Sequence, residues 1–194
     1  RRKNPYKAIM KKRLEHRIFP NRLQREFHQT VPFKVFCTDI TYIPFQNLYA
    51  YLSVVKDIAS GEVVAWSLSK GLEEVLVLDS VQNMPLVRES AMIHSDQGSQ
   101  FTSIDWASLL RRHNLEHSMS RRGNCHDNAV AESFFNLLKR ERVRRRTYRT
   151  REEARQDVFD YIEMFYNPKR KHARNGMLSP VDFERQQKLR YEGV

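Results

Sequence analysis

Asp39 lies in FCTDITYI, a run of strand-forming residues. Asp96 lies in IHSDQGSQF, just past a second such run, and Glu132 in NAVAESFFNLLKRE, a helix-forming run. The last two acids are 36 positions apart. Three acids on three different elements can converge on one sheet edge and offer hard oxygen ligands to divalent ions. Two such ions suffice for phosphoryl transfer on nucleic acid. Each acid also has a plainer explanation: Asp39 as a hydrogen-bonded strand residue, Asp96 as a turn former before Gly98, Glu132 as a solvated helix glutamate. Helical geometry sharpens the last. At 100° per residue Val130, Phe134, Leu137 and Leu138 form one apolar stripe, while Glu132, Asn136 and Lys139 fall on the opposite side within about 60° of one another. The helix can therefore pack on a sheet with Glu132 turned towards a site and Lys139, two turns on, within reach of a phosphate. Aspartate is disfavoured inside strands and costly to bury unpaired, so a cation beside Asp39 would resolve its placement.

Other acids fit structural roles. Asp57 precedes the Ser60-Gly61 turn, Asp127 or Asn128 can cap a helix, and Asp105 suits the first turn of another. No CxxC occurs, and hard oxygen ligands favour magnesium or manganese over zinc. There is no Gly-rich phosphate loop and no G-x-S-x-G nucleophile motif. The two cysteines, Cys37 and Cys125, form no disulfide framework. With no signal-type apolar segment near the start and no run of membrane-spanning length, a reducing cytoplasm is the expected setting.

The elements that must position the acids follow from pattern. Strands are expected at 34–44, 48–58 and 62–69, joined by short turns into an antiparallel meander, with Pro44 ending the first. Apolar residues on both faces of the second strand (Leu52 and Val54 against Tyr51 and Val55) imply a sheet covered on both sides. A helix at 72–84, a strand at 90–94, a helix at 103–114 capped by Ser103 and a strand at 115–120 add two parallel strands. The expected fold is α/β and ribonuclease-H-like, a mixed five-stranded sheet flanked by helices. A long helix then runs to about Arg145. Thr150 and Glu153 open another with capping-box spacing; Ala154, Val158, Tyr161, Ile162 and Phe165 share its apolar face, and Asn167-Pro168 ends it. Residues 1–30 read as a basic helix or linker, 31–146 as the catalytic core, and 147–194 as a basic helical extension.

The formal net charge is +11, unevenly spread. Residues 1–30 carry 10 Lys/Arg against 2 acids, residues 31–138 carry 8 against 12, and residues 139–194 carry 16 against 9. The run KRERVRRRTYRTR is too dense to be only a solvated face and favours a polyphosphate partner, DNA or RNA. Arg140, Arg142, Arg144, Arg145, Arg146 and Arg149 are candidate phosphate contacts, with Asn136 and Lys139 on the helix before them.

TDITYI, HSDQGSQF and SMSRRGNCHDNAVAESFFNLLKRE, followed by YNPKRKHARNGMLSPVDF, resemble the catalytic region of the IS3-family insertion-sequence transposases. These are DDE enzymes that share the fold of retroviral integrases. The resemblance covers roughly residues 33–184, with departures at Gln97, His126, Asn175 and Met177. It implies that Asp39, Asp96 and Glu132 are the catalytic acids, that Asp39 bridges two magnesium ions with one each held by Asp96 and Glu132, and that manganese substitutes. It further implies double-stranded DNA as substrate, transposon end and target, joined by an assembly of at least two subunits near the bacterial nucleoid. In this family a helix-turn-helix region precedes such a core, and residues 1–30 resemble the connector after it. A nuclease of the same fold that only hydrolyses, and a non-catalytic DNA-binding relative, are the alternative readings.

Overall fold

The computed structural model describes residues 18–192 apart from 88 and 123. The expectation for residues 1–17 lies outside these. Five strands form one sheet: β1 (Val35–Phe45), β2 (Leu48–Asp57), β3 (Val63–Ser69), β4 (Ala91–Ser95) and β5 (Leu115–Met119). The order across it is β3-β2-β1-β4-β5; the first three are antiparallel, and β4 and β5 add in parallel. The mixed, five-stranded arrangement matches the expectation. β1 runs one residue past Pro44, which pairs with Tyr49 and is exposed, so its missing N–H costs the ladder little.

Helices α1 (Glu74–Gln82) and α2 (Ile104–Arg112) cover one face, burying Val77, Val81, Trp106 and Leu110 with Phe36, Val55 and Ile93 of the sheet. Ser103 caps α2, its hydroxyl accepting from the Trp106 amide at 3.0 Å. Helices α3 (Ala129–Glu141) and α4 (Arg151–Tyr161) cover the other face, where Phe134, Leu138, Val158 and Tyr161 meet Ile43, Leu52 and Val54. Residues on both sides of position 146 thus share one core. Thr150 caps α4 by accepting from the Glu153 amide at 3.0 Å. A last helix, α5 (Pro180–Glu192), follows a basic loop.

Three local expectations are corrected, and the helix-or-linker reading of the first residues is narrowed. The helix expected to reach Arg145 ends at Glu141, because Arg142 leaves helical geometry (φ −129°) before a 3₁₀ turn at Val143–Arg145. Neither Asp127 nor Asn128 caps α3 with its side chain; a 3₁₀ turn, Cys125–Asn128, leads into it. After α4, Ile162–Tyr166 form a π turn in which the Asn167 amide donates to Ile162 O, five residues back. The wider turn shifts burial by one position, so Tyr166 is fully buried and Phe165 is 37% exposed. Residues 18–30 are not helical: this arm lies along β5, with the Arg22 and Leu23 amides donating to Ser118 Oγ at 2.9 and 3.2 Å. The Asn167 side chain then ties α4 to the sheet, accepting from Val63 N at 3.0 Å and donating to Val63 O at 2.9 Å.

Candidate active site

The register of β1 and β4 explains how two acids meet. Cys37 pairs with His94 at the end of the parallel ladder. Two residues further along lie Asp39, still paired with Val54 of β2, and Asp96, just past the end of β4; beyond the last β1–β4 pair the strands part and a cleft opens at the carboxyl end of β4. Glu132 is exposed in the first turn of α3, on the opposite side from buried Val130, Phe134 and Leu138. All three acids line one cavity of about 530 Å³.

Electrostatics tie them together. The Asp39 carboxyl is pushed up to about 7, first by burial and then by the carboxylates of Asp96 and Glu132; the Ile40 amide and Lys139 act the other way. The Ile40 amide donates to Asp39 Oδ1 at 2.7 Å, and the Gly98 amide to Asp96 Oδ1 at 2.8 Å. A Cβ at position 98 would lie 2.9 Å from Asp96 Oδ1 and 3.1 Å from Gln100 Oε1, so a larger residue here would displace the Asp96 carboxylate. Among the described residues, no three acidic, His or Cys side chains are already drawn into a ready-made metal cluster. The donor set nevertheless fits a hard divalent cation: three carboxylates, one of them destabilised as an anion, and Asn128, whose buried Oδ1 has no hydrogen-bond partner, on the same wall.

The rival residues fall as follows. Asp57 is fully buried and accepts from the Phe33 amide, the Ser60 amide and the Ser60 hydroxyl, a structural role. His94 is buried between the Ser118 and Ser120 hydroxyls at 2.8 and 3.0 Å. The Cys37 thiol is buried and pushed up to about 12 by desolvation, so it stays protonated. Asp127 does more than the sequence suggests. Its carboxylate, 0% exposed, accepts from the Arg121 backbone and guanidinium, from Arg25 Nε at 2.7 Å and from Asn21 Nδ2 at 3.0 Å. The Arg121 hydrogen bonds, first among the causes, hold it well below the usual carboxylate range. Arg121, Arg122 and Asn124 line the cleft, so Asp127 fixes one of its walls. Nothing in an isolated aspartate announces this; the signal was the basic pair in SRRGNCHDN, just before the helix.

The candidate DNA contacts divide. Asn136 is exposed. Lys139 Nζ sits 4.4 Å from the centre of the Tyr42 ring, a partner that sequence reading missed. Burial, and then Arg144, hold the Lys139 ammonium below its ordinary value. Arg140, Arg144, Arg145 and Arg149 are exposed. Arg146 pairs with Asp157 at 2.8 Å and Arg142 with the same carboxylate at 3.5 Å, so these two hold the extension to the core.

The chain matches two models of the integrase core domain, over residues 29–125 and 132–189. It is 41% identical over 169 residues to the transposase for insertion sequence element IS904 of Lactococcus lactis, covering 86% of this chain and 67% of that protein. It is 41% identical over 173 residues to transposase InsF for insertion sequence IS3fB of Escherichia coli, covering 87% of this chain and 60% of the relative. Its match to InsF for IS3A spans 59% of that protein at 40% identity. The chain thus spans less than two thirds of the length of most of these relatives. Among solved structures it is similar to a chain of the simian T-cell lymphotropic virus intasome in complex with PP2A regulatory subunit B56 gamma (TM-score 0.63, 13% identity, 94% of this chain and 67% of that one). It is also similar to the HTLV-2 integrase catalytic core domain in complex with magnesium (TM-score 0.56, 15% identity, 79% and 97%). At such identities these likenesses establish the fold, that of the ribonuclease-H-like integrase core.

Proposed function

This chain belongs to the IS3-family transposases and carries their integrase core domain, and from that premise we propose that it is the catalytic region of a DDE transposase that cleaves and joins DNA strands. The observation that carries the reading is the shared cleft of Asp39, Asp96 and Glu132, with Asp39 pushed up to about 7 by burial and by the other two. Asp39, Asp96 and Glu132 would hold two magnesium ions, with manganese able to substitute, and these supply the positive charge that phosphoryl transfer needs.

The protein's part is positioning and electrostatics. The parting of β1 and β4 opens Asp39 and Asp96 to a phosphodiester, with Asp39 held within β1 and Asp96 one residue past the end of β4. The Gly98 amide fixes the orientation of Asp96. Lys139, with Arg140, Arg144, Arg145 and Arg149 further along the chain, supplies charge for the DNA backbone, contacts that confer affinity rather than sequence choice. In the first step water attacks a phosphodiester at the transposon end, the P–O3′ bond breaks and a 3′-hydroxyl is released. That hydroxyl then attacks a target phosphodiester, forming one P–O3′ bond as another breaks, so no ATP is consumed. Joining two ends at one target calls for at least two copies of the chain. The setting we infer is the bacterial cytoplasm, on nucleoid DNA; no helix among the described residues is long and apolar enough to cross a membrane.

Replacing Glu132 by Gln keeps the shape of the side chain and removes its charge. We expect joining of a pre-cut end to a target duplex to fall to background, while DNA retention in a mobility-shift assay changes less than about threefold. Retained joining would sink the assignment. Cutting without joining by the unaltered protein would leave a hydrolytic nuclease instead.

A further inference from the structure

Beside the acid cleft lies a second cavity, of about 240 Å³, whose walls include the same Asp39 and Asp96. Its other walls have a different chemistry. Tyr42, Tyr51, Leu72 and Phe101 are aromatic or apolar, and Thr41 and Gln100 add polar edges. Tyr42 and Tyr51 are directly opposed across β1 and β2, so both rings emerge on one face of the sheet. Tyr49 meets Tyr42 edge-on at 5.2 Å, and Lys139 Nζ lies 4.4 Å from the Tyr42 centroid. Tyr42 and Tyr49 are each 53% exposed. Half-exposed rings held by ring and cation contacts form a firm, wetted platform rather than part of the core.

A phosphodiester at Asp39 and Asp96 must have its neighbouring nucleotides along one cavity or the other. The larger cleft carries Arg121 and Arg122 and suits phosphate. The smaller one has two carboxylates and no cationic side chain on its walls, so it repels a phosphate and accepts a flat, uncharged group with a π face. We propose that this cavity takes the unstacked base of the nucleotide next to the reacting phosphodiester. Tyr42 and Tyr51 are its stacking surface, Gln100 meets its polar edge, and Lys139 stands by the phosphate of the same nucleotide. The inference rests on the strand-transfer reading above and adds to it a site for one base.

The test uses the full-length protein and a pre-cut duplex of its own element's end, with 2-aminopurine placed in turn at the nucleotides flanking the cut and calcium present to hold the complex without joining. One position is expected to change emission on binding, equally for wild type and Tyr42→Phe, and to lose that change in Tyr42→Ala and Tyr51→Ala. In magnesium the alanine variants should join about tenfold or more slowly. That deficit should vanish when the base at the same position is absent. Equal deficits on intact and abasic ends would overturn the stacking site. The abasic end also needs no variant: wild type that joins it as fast as the intact end, at every flanking position, overturns the site while leaving strand transfer standing. Wild type that joins no end overturns the strand-transfer reading, and this site with it.

Discussion

Asp39 is a carboxylate held in the middle of a strand, where its neighbours desolvate it and two further acids repel it. As a free anion it is destabilising: its carboxyl titrates above that of an unfolded chain, so the penalty grows as pH rises through about 7. Replacing Asp39 by Asn removes that penalty. At pH 8 with EDTA we expect the variant to melt a few degrees above wild type, and magnesium to raise the melting temperature of wild type only. A wild-type melting point indifferent to magnesium, or an Asn variant that melts lower in EDTA, would contradict the metal assignment. The sequence identified this residue because aspartate is out of place among strand formers. It did not identify Asp127, because an acid before a helix has an ordinary reading as a cap, and only folding brings Arg121, Arg25 and Asn21 to it from two directions.

At the scale of elements, the basic run after α3 illustrates how one composition divides into two roles. Arg142 leaves helical geometry, and the turn that follows aims Arg142 and Arg146 at Asp157 on α4 while leaving Arg144 exposed. Asp157 also accepts from the Tyr148 hydroxyl at 2.7 Å and is almost wholly buried. Arg146→Ala weakens the pairing of a buried charge, so we expect a stability loss of about 1–2 kcal/mol by urea unfolding. Arg144→Ala should leave stability unchanged and lower the salt slope of DNA binding by about one. The reverse pattern would show that Arg146 is the phosphate contact. The π turn after α4 is a similar case. A strict 3.6-residue period selects Phe165 for the core, yet Tyr166 takes the place because the extra residue lets its ring reach Phe134, with centroids 4.9 Å apart, and its hydroxyl donate to Gly61 O at 3.2 Å.

For the molecule as a whole, the segment after residue 146 is an extension in charge and in sequence pattern, but Tyr148, Ala154, Val158, Tyr161, Ile162 and Tyr166 complete the core over β1, β2 and α3. Each large side chain contributes about 2 kcal/mol by burial, and the set rivals the whole margin of about 5–15 kcal/mol that keeps a domain folded. A chain ending at residue 146 is therefore expected to lose the cooperative thermal transition and to expose apolar surface, as read by dye binding. A truncated protein that melts cooperatively would mean that the extension merely docks.

Sequence alone determined the candidate acids and the outline: acids of one type on two strand-like runs and a helix, the order of those elements, and basic ends suited to a polyphosphate. These are local properties, written in periodicity and residue type. Tertiary structure decided what depends on pairs distant in sequence. The β1–β4 register sets Asp39 beside Asp96, the arm at residues 18–25 and the loop before α3 share the buried Asp127, and the β1–β2 pairing opposes Tyr42 and Tyr51. The outward face of α3 was legible as a pattern, but what Lys139 would meet there was not. Tyr42 is 97 positions away in the chain and comes within reach only when α3 packs on the sheet.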